Sequence, residues 1–213
     1  MKVIKPSYEI WTSISEGGIE ELKFIEKIGR VCYRSEDKIS EDGESAKKFV
    51  AGIIKRGHES VLEHGNITVC FTCDRGVSHE VVRHRHCAFS QESTRYCNYG
   101  TDKFGGELTF IRPPFLTDKT FDAWVYSCSE AEYTYLDMLK SGASPQEARD
   151  VLPASLKTAL VMTTNYREWR AFLRLRTAPA AHPQMRELTI PLLREFKSKL
   201  PILFDDILEE EHV

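Results

Sequence analysis

From Asn66 to Cys73 the residues Ile67, Val69, Phe71 and Cys73 alternate with Thr68, Cys70 and Thr72, the period-two pattern of a strand with one buried face. This alternation sits in a chain otherwise patterned for helices, and the combination restricts the fold more than any other feature. Upstream, Ile19, Leu22, Ile25, Ile28 and Val31 recur every three residues, while Ala46, Phe49, Val50, Ile53 and Ile54 follow the stripe of a core-facing helix that ends at Gly57. Downstream, Trp124, Cys128, Ala131, Tyr135 and Met138 mark a long amphipathic helix stopping near Ser141-Gly142. Ser144-Pro145-Gln146-Glu147 then fits a capping box with proline at the first helical position. A β-favouring run from Leu156 to Thr164 predicts another strand, and Asn165 is placed to cap a helix whose inner face is Trp169, Phe172 and Leu173. Met185, Leu188, Leu192 and Phe196 outline a last helix with Pro191 inside it. Helices and strands mix without a regular βαβ rhythm, repeat or linker, which predicts an α+β class in a single domain over residues 1–213.

Composition removes several function classes. A formal net charge of -3 and a pI near 6.2 argue against a surface built to hold nucleic acid, so any basic function must be local. No apolar segment of membrane-spanning length and no leader-like start is visible, which predicts a soluble, cytoplasmic protein without membrane contact. The six cysteines form no framework and read as reduced thiols. Cys70 and Cys73 have half the spacing of a zinc site, but residues three apart on a strand point to opposite faces, so no metal is expected. Neither GxGxxG, GxxxxGK[ST] nor GxSxG occurs; a bound nucleotide must be held by side chains rather than by a Rossmann turn or a P-loop.

Those side chains are concentrated in the stretch from Arg83 to Tyr96, where Arg83, His84, Arg85, His86 and Arg95 surround a Ser/Gln/Ser/Thr-rich run that reads as a loop after a helix containing Val77 and Val81. Arginine forks suit phosphate oxygens. The bland reading, cations complementing a helix C-terminus in solvent, is weakened by a second cluster. Arg167, Arg170 and Arg174 share one helical face, and Arg176, seven after Trp169 and four after Phe172, falls on the apolar side. A guanidinium there requires either a buried carboxylate or an anionic ligand, because its charge cannot be neutralised. Arg149 adds a cation on the helix opened by Ser144.

The run Arg83-His84-Arg85, seven residues, then Ser93-Thr94-Arg95 resembles the RHRx7SxR signature of flavin-dependent thymidylate synthases. The similarity extends to Gly57-His58-Glu59-Ser60 with Glu63-His64, to Arg149 with Leu152-Pro153, and to Asn165-Tyr166-Arg167 with Leu175-Arg176. It implies a mostly antiparallel sheet flanked by helices and a homotetramer with shared active sites. The implied reaction is reductive methylation of dUMP to dTMP, with FAD as cofactor, 5,10-methylenetetrahydrofolate as carbon donor and NADPH as reductant. By the same resemblance Ser60, Arg83, His84, Arg85, Gln91, Asn165, Tyr166, Arg167 and Ala171 contact the flavin. Glu80, Arg83, Gln91, Glu92, Ser93, Thr94, Arg95, Arg149 and Arg176 surround dUMP, with Arg176 catalytic. Glu80 stands where relatives often carry glutamine, and Ala171 where they often carry histidine or asparagine. None of the six cysteines has the Pro-Cys-His setting of the other thymidylate synthase family. A competing class, an RNA-binding or nucleotide-sensing module stacking bases on Tyr96, Tyr99 or Trp169, predicts a broad basic surface and salt-sensitive binding.

Overall fold

The structure is a computed structural model that describes residues 1–208. Its strands are β1 (Lys2–Ile4), β2 (Ser7–Ile10), β3 (Asn66–Asp74), β4 (Ala88–Gln91), β5 (Thr109–Ile111) and β6 (Lys157–Asn165). Its helices are α1 (Ile19–Val31), α2 (Glu44–Lys55), α3 (Arg75–Val81), α4 (Asp118–Lys140), α5 (Pro145–Ala148), α6 (Tyr166–Thr177), α7 (Pro183–Lys199) and α8 (Pro201–Phe204). The class is α+β, as the sequence predicts. A four-stranded sheet runs in the order β2-β3-β6-β4, and β1 pairs in parallel with β5, Lys2 opposite Thr109 and Ile4 opposite Ile111.

Internal contacts gather into two compact units, each assembled from three segments of chain: Met1–Tyr8, Cys70–Arg83 and Phe89–Val161 form the first, and Glu9–Val69, His84–Ala88 and Met162–Val213 the second. In the first unit Tyr99, Leu108, Phe110, Cys128, Tyr135, Ala148 and Leu156 make the core. The α5 capping box is present, Glu147 accepting the Ser144 backbone N–H at 2.8 Å, but the helix it opens is a single turn.

In the second unit α6 and α7 bury an aromatic chain, Trp169 edge-on to Phe172 and Phe196 at 5.6 and 5.3 Å between centroids, with the Trp169 indole N–H donating to Ile67 O at 3.0 Å. α7 runs through Pro191 to Lys199 as one helix. On α1 the three-residue reading drifts from the true period of 3.6. Leu22 and Ile25 are buried as expected, but Glu26 and Gly29 take the next inward positions and Val31 ends 62 % exposed. The buried Glu26 carboxylate is matched by Arg30 Nη2 at 2.8 Å and the Ser45 hydroxyl at 2.7 Å.

The loop expected after the basic run begins later than the sequence suggests, since Ser90 and Gln91 belong to β4. Cys70 and Cys73 lie on opposite faces of β3, half-buried and buried respectively. Burial pushes the Cys73 thiol up to about 12, the neighbouring Asp74 adding to the effect. Among the described residues no helix is long and apolar enough to cross a membrane.

Gly65 is a point of close approach: a Cβ there would stand 2.0 Å from the Tyr166 ring, and Gly65 O also accepts the Tyr166 backbone N–H at 2.9 Å. Gly65→Ala is therefore expected to cost about 1–3 kcal/mol by overpacking, read as a lower denaturation midpoint in urea. An unchanged midpoint would show that the ring yields freely.

Candidate functional site

β6 ends at Asn165, whose side chain accepts the backbone N–H of Glu168 at 2.9 Å and starts α6. That cap fixes the angular position of every α6 side chain. Arg167 and Ala171 are exposed, Glu168 and Arg176 half-buried, and Tyr166, Trp169, Arg170, Phe172 and Leu173 buried. Within the same unit a cavity of about 460 Å³ is lined by Glu59, Glu63, His86, Asn165, Arg167, Glu168 and Ala171.

The fully buried guanidinium is Arg170, not Arg176. The expectation that Arg176 is the inward cation is corrected because the inner face of α6 is broad, reaching from Tyr166 through Trp169 and Arg170 to Leu173 and Thr177. Arg170 is 0 % exposed and satisfied by carboxylates and a carbonyl. Its Nη2 lies 3.1 Å from Glu59 Oε1 and 2.7 Å from Asp206 Oδ2, and its Nη1 bonds Asp206 Oδ1 and Leu203 O. Burial raises the Asp206 carboxyl, but the hydrogen bond and charge of Arg170, joined by Arg174, outweigh it and hold the group below the usual carboxylate range. Arg170 thus has a structural role.

Arg176 is turned instead toward His84. Its Nε lies 3.1 Å from His84 Nε2, and His84 Nδ1 lies 3.3 Å from Glu168 Oε1. Burial lowers the His84 pKa from its ordinary value of 6.5; the hydrogen bond to Glu168 opposes this and the Arg176 charge reinforces it. The imidazole is therefore neutral at physiological pH.

The remaining expected residues fall as follows. Ser60, Arg85 and Arg167 are exposed in the second unit. Arg167 Nη1 lies 2.5 Å from Glu63 Oε1. Tyr166, expected at the flavin, is 4 % exposed with its ring against Gly65. In the first unit Arg83 is exposed in the turn after α3, Glu80 is half-buried on α3, and Arg149 is exposed after α5. Gln91 donates from Nε2 to Ser78 Oγ at 2.9 Å and Thr158 Oγ1 at 3.3 Å, which fixes its amide. Thr94 is buried, Ser93 Oγ accepts the Arg95 backbone N–H at 3.3 Å, and the exposed Arg95 guanidinium stands 5.4 Å over the Tyr96 ring.

Glu92, expected among the groups on dUMP, is occupied inside the unit. Oε1 accepts the Tyr99 hydroxyl at 2.6 Å, and Oε2 accepts Lys157 Nζ at 2.7 Å and the Ala159 N–H at 3.2 Å. With both oxygens engaged it anchors the start of the Ser93-Thr94-Arg95 segment. Burial, then Glu92 itself, keeps the Tyr99 phenol protonated.

A flavin suits the cavity by its donor set. Each wall carboxylate already has a donor: Glu59 has Arg170, Glu63 has Arg167, and Glu168 faces the His84 ring. Asn165, using its oxygen on the helix cap, keeps its amide N–H group, and Ala171 leaves room beside the helix. Among the described residues Arg167 is held by an exposed pair with Glu63 worth about 0–1 kcal/mol, so a phosphate can recruit it at little cost.

Sequence reasoning passed over Glu168, and it named His86 in the basic run and Glu59 in the Gly57–Ser60 segment without giving either a role. Glu168 was legible in principle: it stands at the third helical position after Asn165 and four residues before Phe172, in line with Arg176.

Stability follows the His84 protonation state. In acid the unfolded chain protonates this imidazole near 6.5 while the folded chain resists until lower pH. The contribution is therefore full above that value and is lost as pH falls below it. From about pH 7 to about pH 5, the urea midpoint of the native protein should fall more steeply than that of His84→Gln, which keeps a neutral donor and acceptor in place. Parallel slopes would contradict a neutral, buried His84.

A family model described as "Thymidylate synthase complementing protein" matches residues 19–202. Among curated relatives, the flavin-dependent thymidylate synthase of Corynebacterium aurimucosum is 32% identical over 211 residues, spanning 91% of this chain and 82% of the relative. That of Mycobacterium tuberculosis is 32% identical over 92% of this chain and 82% of its own length. A solved structure, the UMP/dUMP methylase PolB from Streptomyces cacaoi bound with 5-Br dUMP, is similar with a TM-score of 0.78 at 23% identity and covers 96% of both chains.

Proposed function

Since the chain belongs to the flavin-dependent thymidylate synthase family, we propose that Arg176 is its catalytic residue, acting on dUMP while FAD occupies the cavity beside α6. The observation that carries this reading is the Arg176–His84–Glu168 arrangement: a permanently charged, half-buried guanidinium donates from Nε to a neutral imidazole 3.1 Å away, whose other nitrogen faces Glu168. The bond at Nε sets the direction in which the planar guanidinium presents its permanent charge. Placed against the uracil, such a cation favours the N3-deprotonated, electron-rich ring and stabilises negative charge as C5 takes up the one-carbon unit, with no enzyme nucleophile required.

Asn165, Arg167, Ser60, His84, Arg85 and Ala171 are the residues proposed for the flavin, with Arg83 and Gln91 contributing to both ligands. Ser93, Thr94, Arg95 and Arg149 hold dUMP; the two exposed guanidiniums meet its phosphate and the fixed Gln91 amide orients the base. Held by these residues, a reduced flavin would supply the hydride that completes the methyl group. Overall, dUMP, 5,10-methylenetetrahydrofolate and NADPH with a proton give dTMP, tetrahydrofolate and NADP. A homotetramer with shared sites in the cytoplasm completes the reading, without nucleic acid, membrane or metal partners.

The first test is an anaerobic absorbance spectrum of the purified protein with dUMP, before and after NADPH. Oxidised-flavin bands that bleach are expected, and a protein that stays colourless after added FAD would refute the reading. Arg176→Ala should then lower dTMP formation by at least about a hundredfold while leaving the flavin bound. Undiminished turnover would remove Arg176 from the chemistry.

A further inference from the structure

Glu168, Phe172 and Arg176 stand at intervals of four along α6, so one face of the helix presents a carboxylate, an aromatic ring and a guanidinium in line. His84 lies along that face. Its ring meets Phe172 edge-on, centroids 4.8 Å apart and planes at 75°, and its two nitrogens reach Glu168 and Arg176 at 3.3 and 3.1 Å. The proton positions follow from the donors. Arginine Nε carries a hydrogen at every accessible pH and only donates. His84 Nε2 must therefore present its lone pair, and the ring's one hydrogen sits on Nδ1, directed at Glu168 Oε1.

We propose that Glu168 is a positioning residue for the reaction: by accepting the Nδ1 hydrogen it locks His84 in the tautomer that receives Arg176 Nε–H, and thereby fixes the plane of the guanidinium. This rests on the reading that Arg176 faces the uracil. A guanidinium is rigid and planar, so a bond at Nε determines where both terminal nitrogens point. Without the carboxylate the imidazole is free to carry its hydrogen on Nε2. It would then meet Arg176 Nε–H donor to donor and turn the guanidinium away. Carboxylates orient metal-binding and general-base histidines by the same logic; here the oriented group beyond the histidine is a guanidinium. The carboxylate is itself held in place, because the Asn165 cap bonds the backbone N–H of Glu168 at 2.9 Å.

Two substitutions separate orientation from charge. Glu168→Gln keeps an acceptor for Nδ1–H without the charge, and Glu168→Ala removes both. Glu168→Ala is expected to lower kcat for dTMP formation about 10–100-fold with its flavin bands intact, and Glu168→Gln to restore most of the rate. In protein labelled with 15N-histidine, the His84 signals, assigned by their loss in His84→Gln, should report Nδ1–H in the native chain and Nε2–H or a mixture in Glu168→Ala. That tautomer measurement stands apart from activity. An unchanged tautomer in Glu168→Ala overturns the proposal whatever the rate does. A Glu168→Gln enzyme as slow as Glu168→Ala overturns it in favour of a role for the charge. Loss of flavin from Glu168→Ala with the tautomer unchanged assigns the residue to the cavity wall alone. If the tautomer shifts yet Arg176→Ala turns over normally, the relay stands and the role of Arg176 in the chemistry falls.

Discussion

The site depends on where α6 begins. β6 delivers Asn165, and its side chain closes on the backbone of Glu168 at 2.9 Å, ending the strand and starting the helix within one residue. From that point the helical period does the rest. Arg167 and Ala171 face the cavity, Glu168 and Arg176 face His84, and Arg170 faces inward with Trp169 and Phe172. A start displaced by one residue would rotate the whole set by about 100°, the angle per residue of a 3.6-residue turn, and move Arg176 away from His84. One cap therefore specifies structure and chemistry together.

The charges in this unit are sorted by their partners. Glu26 and Arg170 are both completely buried, and each is matched by opposite charge and by neutral hydrogen-bonding groups. Removing one partner from such a set costs several kcal/mol because the other charge is left in a poor solvent. Arg176 is half-buried, and its Nε donates to the His84 imidazole. Two arginines six residues apart on one helix thus differ in burial, Arg170 fully enclosed and Arg176 half-buried.

Much of this was readable in the amino-acid order. The β3 alternation, the α2 stripe, the Ser144 capping box and the Asn165 cap all depend on contacts within a few residues, and all appear where their spacing puts them. What the sequence concealed depends on distant partners. Arg170 reads only as one of three arginines sharing a helical face until Glu59 and Asp206 arrive from elsewhere in the chain. Glu92 reads as a ligand group until Lys157, Ala159 and Tyr99 occupy it. On α1 a spacing of three was too short for the helix it described, so Val31 drifted outward. The short strands β1, β2, β4 and β5 have three or four residues each, too few for an alternation to stand out. The signature singles out the arginines of this region, and only the geometry separates the enclosed Arg170 from the half-buried Arg176.

The seven-residue interval of that signature contains β4, whose Phe89 and Gln91 are half-buried while Ala88 and Ser90 are exposed. The interval therefore acts as a ruler marked in strand register, not as a tether. Because successive side chains point to opposite faces, losing or gaining one residue would put Ser90 or Glu92 where Gln91 meets Ser78 and Thr158, and would turn the following segment over. Composition inside the interval is thus freer to vary than its length, so relatives with different residues between the two arginine groups can still keep the same count.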